Sequence, residues 1–368
     1  MARTAKAVVC RELNKPVVVE DITVDSPKRG EVMVKIAACG VCHSDLSATN
    51  GTIALPPPLV LGHEAAGEIV EVGEGVTNIA VGDHVVSSFI YMCGKCRFCA
   101  SGRPVLCLEQ HKALTTPLEG TPRTRDKAGQ PLGIFSGCGV MAEYATMSVE
   151  NVVKIDPKIP LDRAALVGCA VTTGVGAVFN TARVEPGSSV AVFGCGGVGL
   201  NVIQGAAIAG AERIIAIDTL QSKLDLAKQF GATETLLAKP GEDVAKALKK
   251  MTGIGPDYAF ECVGVGALAE SAYRAIRRGG RAVVVGVARP TDATSFKPMS
   301  MVFEEKTLQG SYFGSCVPRI DFPKMLQLYM AGRLKLDELI TRRYAIAEAA
   351  QAFADLESGR NARGVIVF

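Results

Sequence analysis

Cysteines recur at every third position from residue 93 to residue 99, and a fourth follows after seven intervening residues: C-G-K-C-R-F-C-A-S-G-R-P-V-L-C. A disulfide framework rarely packs three thiols so closely. Four thiolates around one tetrahedral Zn²⁺ need such short spacings, because one loop must wrap the ion. Cys93, Cys96, Cys99 and Cys107 are therefore read as a closed, structural zinc site. The alternative is a set of free or redox-active thiols in a glycine-rich loop. Four protein ligands leave no position for substrate, so a zinc here holds a loop and does no chemistry.

An open site is expected elsewhere. Residues 39–45 read C-G-V-C-H-S-D and residues 61–67 read L-G-H-E-A-A-G. Cys42 and His63 are zinc-type ligands, and Asp45 and Glu64 are carboxylates of the kind that orient a ligand from behind. A catalytic zinc uses three protein ligands and keeps a fourth position for water or a substrate oxygen. Beyond the ambiguous His43 and Glu64, neither segment offers a third ligand, so one should come from far along the chain. The candidate is Cys169 in V-G-C-A-V-T-T-G-V-G, among small residues where backbones approach closely. Taken singly, each residue also reads as a buried core cysteine or a satisfied polar histidine. Alongside the cysteine lobe, metal ligation is favoured.

The third signal is V-A-V-F-G-C-G-G-V-G-L at residues 190–200. An apolar run ends at Gly194, and Gly194, Gly196 and Gly199 fit G-x-G-x-x-G ahead of a helix-like stretch from Val198 to Ala209. Strand, tight turn and helix N-terminus together make a dinucleotide site: the glycines admit the pyrophosphate, and the helix start supplies unpaired N–H donors. A second apolar run, R-I-I-A-I, ends at Asp218, 19 residues after Gly199. A carboxylate there accepts hydrogen bonds from ribose hydroxyls and repels a 2′-phosphate, which favours NAD over NADP. Lys223 either adds a ribose contact or is a solvated helix lysine.

Together, these segments resemble the zinc-containing medium-chain alcohol dehydrogenases over essentially the whole chain. The resemblance is closest to the long, two-zinc branch that includes liver-type alcohol dehydrogenases and glutathione-dependent formaldehyde dehydrogenases. It implies that Cys42, His63 and Cys169 hold a catalytic zinc, with Glu64 behind the metal as an alternative ligand at most. Asp45 would orient His63, Ser44 would accept the alcohol's proton, and His43 would face the cofactor pyrophosphate. Gly197, Val198, Val287 and Arg363 also fall to the cofactor. Phe89, Phe135 and Tyr312 match substrate-pocket positions, with ordinary core packing as the alternative reading. The implied reaction is reversible hydride transfer between an alcohol and NAD, with two Zn²⁺ per chain. Aromatic or medium-chain primary alcohols are the expected substrates. The chain departs from the liver-type pattern at Ser47, where a proton-relaying histidine is expected. It departs from the glutathione-dependent relatives at His111, in place of a carboxylate-binding arginine, and at Ile53, in place of an acidic residue.

The elements that must position these residues follow from composition and periodicity. With 368 residues, the chain is long enough for two domains. The fold class expected is α/β: a Rossmann, doubly wound parallel sheet, and a β-rich GroES-like catalytic domain built from both chain ends. Short β-rich runs, A-K-A-V-V, P-V-V-V, E-V-M-V-K-I and G-E-I-V-E-V, are punctuated by Gly and Pro, as in a barrel-like domain. Residues 108–137 show little periodicity and read as a long surface loop. Strand-like runs at 189–193, 213–218, 257–261 and 281–285 alternate with helix-like stretches, and a further helix is expected near 320–331. The resemblance sets the boundaries at 1–170 and 313–368 for the catalytic domain and 171–312 for the dinucleotide-binding domain.

Forty basic against 37 acidic residues leave a net charge of +3, which gives no reason to invoke nucleic acid or an anionic membrane. No apolar stretch is long enough to span a bilayer, and the N-terminus lacks a signal core. Twelve cysteines, six of them assigned to zinc, suit a reducing, cytoplasmic setting. The expected partner is a small-molecule alcohol or aldehyde. A non-catalytic zinc module would have no use for Asp218 or the glycine turn. Relatives are homodimers or homotetramers, and the 108–137 segment leans towards the dimer.

Overall fold

Val- and Ile-rich runs near the N-terminus pair as their alternation requires. Arg3–Cys10 lies antiparallel to Val18–Val24, with Val8 opposite Val19. Leu59–Val60, Thr124–Arg125 and Pro131–Ile134 complete a closed barrel. Ala5, Ala7, Val9, Ile22, Val24, Val60 and Leu132 fill one core of this part of the chain, and the small residues among them suit a narrow interior. A second sheet is built on the eleven-residue strand Glu31–Val41. It pairs with Ala65–Val72, Tyr144–Ser148 and, from the other end of the chain, Arg363–Val367.

The computed structural model describes residues 1–118 and 120–368, which form two units. The first comprises Met1–Cys169, Val317–Gly332 and Leu336–Phe368. The second comprises Ala170–Cys316 and Arg333–Lys335.

The segment expected to be a surface loop, 108–137, is more ordered than its composition indicated. It supplies two barrel strands and buries Ala113, Arg123, Leu132 and Phe135. Arg123 explains why so polar a stretch can go inside. Its Nε and an Nη each donate to Glu31 at 2.8 Å, with both side chains almost wholly buried. This bidentate geometry compensates two charges that would be costly to bury singly.

Six parallel strands form the sheet of the second unit: Ser189–Phe193, Arg213–Asp218, Glu234–Leu237, Tyr258–Glu261, Arg281–Val284 and Thr307–Gly310. Numbered in chain order, they lie third–second–first–fourth–fifth–sixth. This is the doubly wound order, with its switch point beside the first strand, where the carboxyl ends diverge and a dinucleotide fits. The four runs anticipated from apolarity are all present. Glu234–Leu237 and Thr307–Gly310 were not anticipated, because they are short outer strands without an apolar run. Near the C-terminus, the expected helix spans Pro318–Met330.

Candidate functional site

Three elements of the first unit converge on one buried cluster. Cys42 is the residue before helix His43–Thr49, His63 and Glu64 precede strand Ala65–Val72, and Cys169 follows a short helical turn, Leu166–Gly168. Gly168 makes the last approach possible. A Cβ there would stand 2.9 Å from the Ser87 carbonyl oxygen and 3.3 Å from the Glu64 Cα.

The ligand atoms of Cys42, His63, Glu64 and Cys169 all lie within 4.8 Å of one another. Sγ of Cys42 and Sγ of Cys169 are 3.9 Å apart, and His63 Nε2 is 3.2 Å from Cys169 Sγ. A disulfide would bring the sulfurs to about 2.0 Å. Tetrahedral zinc at about 2.3 Å from each sulfur sets them roughly 3.8 Å apart, so the donor set fits zinc. Asp45, wholly buried, organises the cluster. One oxygen accepts from Gly62 N at 2.9 Å and meets His63 Nδ1 at 3.3 Å, while the other accepts from Cys42 N. With Nδ1 occupied, Nε2 is the nitrogen presented to a metal.

The electrostatics also suit a cation held by this donor set. Contact with Cys169 holds the Cys42 thiol well below the ordinary thiol range, and the same contact together with burial pushes Cys169 well above it. The two thiols cannot both ionise without a positive charge between them. Burial pushes Glu64 up to about 7 against the opposing charge of Arg363. Arg363, which the resemblance gave to the cofactor, is buried here and bonded to Glu64. Gly40 leaves the room: a Cβ there would stand 2.6 Å from Glu64 Oε1.

Ser44 Oγ lies 3.7 Å from Cys42 Sγ, whereas His43, the first residue of the helix, is exposed. Phe89 and Phe135 both meet the His63 ring edge-on, with centroids 5.5 Å and 5.2 Å away. Phe135 is only 1% exposed, so it braces the imidazole as part of the core.

The cysteine lobe forms a second cluster. The sulfurs of Cys93, Cys96, Cys99 and Cys107 lie within 4.8 Å of one another, and those of Cys93 and Cys99 are 4.0 Å apart. Backbone N–H groups of Cys93, Cys96 and Cys99 point at the sulfurs of Cys107, Cys93 and Cys96 respectively. Such donors stabilise thiolates, and they hold Cys96 down to about 6. All twelve cysteines are free of disulfides. This donor set also fits zinc, with no position left open.

In the second unit, strand Ser189–Phe193 runs into Gly194 at φ +91°, and helix Gly197–Ala209 starts directly after Gly196. A Cβ on Gly199 would lie 1.8 Å from the Gly194 carbonyl oxygen, so the turn closes only on glycine. Gly194, Gly196, Gly197, Val198 and Gly199 thus form one turn and helix start. Asp218 does more than its sequence position indicated. One oxygen accepts from Cys195 N at 2.8 Å, and the other accepts from Thr219 N and Leu220 N at 2.8 and 3.1 Å. The carboxylate therefore pins the glycine turn to the second strand. Lys223 lies on the helix Gln221–Gln229 that follows. Val287 follows the fifth strand and its backbone packs on Gly264, while Tyr312 follows the sixth; they are 64% and 46% exposed.

Sequence reading passed over Glu261, at the carboxyl end of the fourth strand. It is fully buried, and one of its oxygens accepts from Val263 N and Gly264 N. This fixes the loop beside Gly194. An acidic residue ending the run Y-A-F-E was the available signal, the same one that marked Asp218.

Comparison with known proteins agrees with this geometry. Residues 28–157 match the alcohol dehydrogenase GroES-like domain, and residues 197–331 match the zinc-binding dehydrogenase domain. The chain is 41% identical over 372 residues to an S-(hydroxymethyl)glutathione dehydrogenase from Synechocystis sp., covering 98% of this chain and 99% of that one. It is 40% identical over 365 residues to an NDMA-dependent alcohol dehydrogenase from Amycolatopsis methanolica, covering 98% of each. Among solved structures, benzyl alcohol dehydrogenase from Acinetobacter calcoaceticus superposes with a TM-score of 0.92 at 32% identity, covering 100% of this chain and 99% of that one. With two such clusters and a dinucleotide turn on the expected folds, the chain belongs to the zinc-containing medium-chain alcohol dehydrogenase family.

Proposed function

We propose that this oxidoreductase is an NAD-dependent zinc alcohol dehydrogenase that interconverts primary alcohols, aromatic or medium-chain, and their aldehydes. The observation that carries the reading is the buried convergence of Cys42, His63 and Cys169 with Asp45 fixed behind the histidine. When bound, zinc supplies a Lewis acid for the alcohol or carbonyl oxygen, and NAD supplies the hydride acceptor.

The chain's own residues do the rest. Asp45 holds His63 in one tautomer. Ser44, beside Cys42, takes the alcohol's proton, which leaves through Ser47 or ribose and water. Phe89 and Phe135 present apolar edges around His63 and keep its environment dry. Asp218 selects NAD, and four thiolates hold the second zinc. In the cell, the protein is a cytoplasmic homodimer or homotetramer acting on a small molecule, with no nucleic-acid or membrane partner. Among the described residues, no single helix is long and apolar enough to cross a membrane.

A second reading, S-hydroxymethylglutathione oxidation, is favoured by the name of the Synechocystis relative. Against it, His111 replaces the expected arginine and its Nδ1 lies 3.0 Å from the Leu108 carbonyl oxygen. Reduced-nicotinamide absorbance with benzyl alcohol, then with formaldehyde plus glutathione, separates the two. Turnover only in the second assay overturns the first reading.

A further inference from the structure

A cleft of about 360 Å³ opens in the second unit, with none of the glycine-turn residues, Asp218 or Lys223 in its lining. Three segments form it. Helix Val244–Thr252 contributes Lys246 and Lys249, helix Gly266–Ala275 contributes Tyr273 and Arg274, and helix Pro298–Glu304 leads into Lys306. Four cations therefore face two carboxylates, Asp243 and Glu304.

Both carboxylates are already engaged. Asp243 accepts from Lys246 N as the helix cap and from the Arg274 guanidinium at 2.6 Å. Glu304 meets the Lys306 ammonium at 2.5 Å. No carboxylate among the described residues lies within ion-pair distance of the Lys246 or Lys249 ammonium.

Exposed helix lysines are ordinarily solvated and need no ligand. Two further observations set this cleft apart. The Lys306 side chain is only 3% exposed, and its ammonium is met by a single carboxylate and, 5.6 Å from the centroid, by the face of the Tyr273 ring, a thin compensation for a buried charge. Tyr273 is 3% exposed, and its hydroxyl has no hydrogen-bond partner. Packing against Phe296, with centroids 4.9 Å apart, explains the burial of the ring but leaves the hydroxyl unmet. Burial and then the charge of Lys306 also hold the Lys249 ammonium below the usual lysine range, a strain that a bound anion would relieve.

We infer that this cleft binds a phosphate dianion carried by a small organic molecule, through Lys246, Lys249, Lys306 and the Tyr273 hydroxyl. A phosphate has acceptors enough for all four groups, and its charge matches the excess of two. The volume lies at the lower end of small-molecule sites, larger than a bare ion needs, which points to a monoester.

Isothermal titration calorimetry on the full, zinc-loaded protein tests this with three probes: glycerol 3-phosphate, inorganic phosphate and succinate. Glycerol 3-phosphate should saturate one site per chain with Kd at or below about 1 mM. Lys249→Ala should weaken it about tenfold or more and Tyr273→Phe about threefold, with alcohol turnover unchanged. Inorganic phosphate binding as tightly as the monoester upholds the dianion site and makes free phosphate the source. Equal binding of succinate overturns the phosphate assignment. The absence of saturable binding below about 10 mM overturns the site. So does an affinity that neither variant changes, since the anion then binds elsewhere, as at the glycine turn.

Discussion

Replacing Asp218 by Asn tests how the second unit chooses its cofactor. The carboxylate takes three backbone N–H bonds, from Cys195 on one oxygen and from Thr219 and Leu220 on the other. Glycine at this position would abandon all three and release the turn, confusing a structural loss with an electrostatic one. Asparagine keeps one oxygen and turns an NH₂ towards the other donors, a local cost of about 1–3 kcal/mol. For NAD, a charge-assisted bond to ribose becomes a neutral one, a loss of about 1.4 kcal/mol, or roughly tenfold in kcat/KM. For NADP, Coulomb's law between one and two charges about 5 Å apart gives roughly 1.7 kcal/mol at the dielectric of water and roughly 6.6 at an effective value of 20. Asp218 is partly exposed, so the lower end applies: about 2 kcal/mol, or roughly thirtyfold relief. The ratio of NAD to NADP efficiency should therefore narrow by about 300-fold, from a wild type that strongly prefers NAD. Steady-state kinetics with both cofactors on both proteins measure it, and thermal melting checks that the variant is folded. A wild type preferring NADP, or a ratio within about threefold of wild type in the variant, would refute the placement of this carboxylate on the ribose.

Metal analysis should find two zinc ions per chain. Cys96→Ser should lose one and lower stability before chemistry, whereas Cys42→Ala should lose the other and abolish turnover while NAD still binds. Finding a single zinc in the wild type, or an active Cys42→Ala, would contradict the two-site assignment. Arg123→Met leaves Glu31 buried without its partner and should cost about 3–5 kcal/mol, with part restored by adding Glu31→Gln. A urea midpoint unchanged by Arg123→Met would show that the pair does not anchor the segment. Burial raises the Asp257 carboxyl, but bonds from Ser189 N, Ser189 Oγ and the Arg277 guanidinium outweigh it and hold the group below its usual range. A depressed carboxyl stabilises the fold above its unfolded value, near 3.9, and that contribution fades as pH falls through the folded value. The stability gap between wild type and Asp257→Asn should thus be constant from about pH 6 to 8 and shrink below about pH 4, as urea titrations across that range would record.

The two candidate metal-ligand sets differ in how far they could be read from the chain. Cys93 to Cys107 lie within one loop, so their spacing alone states that one ion can be wrapped. The glycine turn is equally local: strand, turn and helix start occupy consecutive residues, and the steric need for glycine at 194 and 199 shows directly in composition. Cys169 was named from residue type and resemblance, but only the fold brings it to His63, 106 positions away. Glu64 and Arg363 stand 299 positions apart, and their pairing depends on the last strand joining the sheet built on Glu31–Val41. No local pattern encodes such a contact. The barrel strands of the 108–137 segment escaped notice for a related reason. The burial of Arg123, just before the first of them, depends on a distant partner, Glu31, whereas periodicity reports only a residue's own polarity. The basic cleft was hidden in the same way. Lys249 and Lys306 are ordinary surface residues in sequence, and helix packing on a folded sheet makes them neighbours and takes one of them out of water.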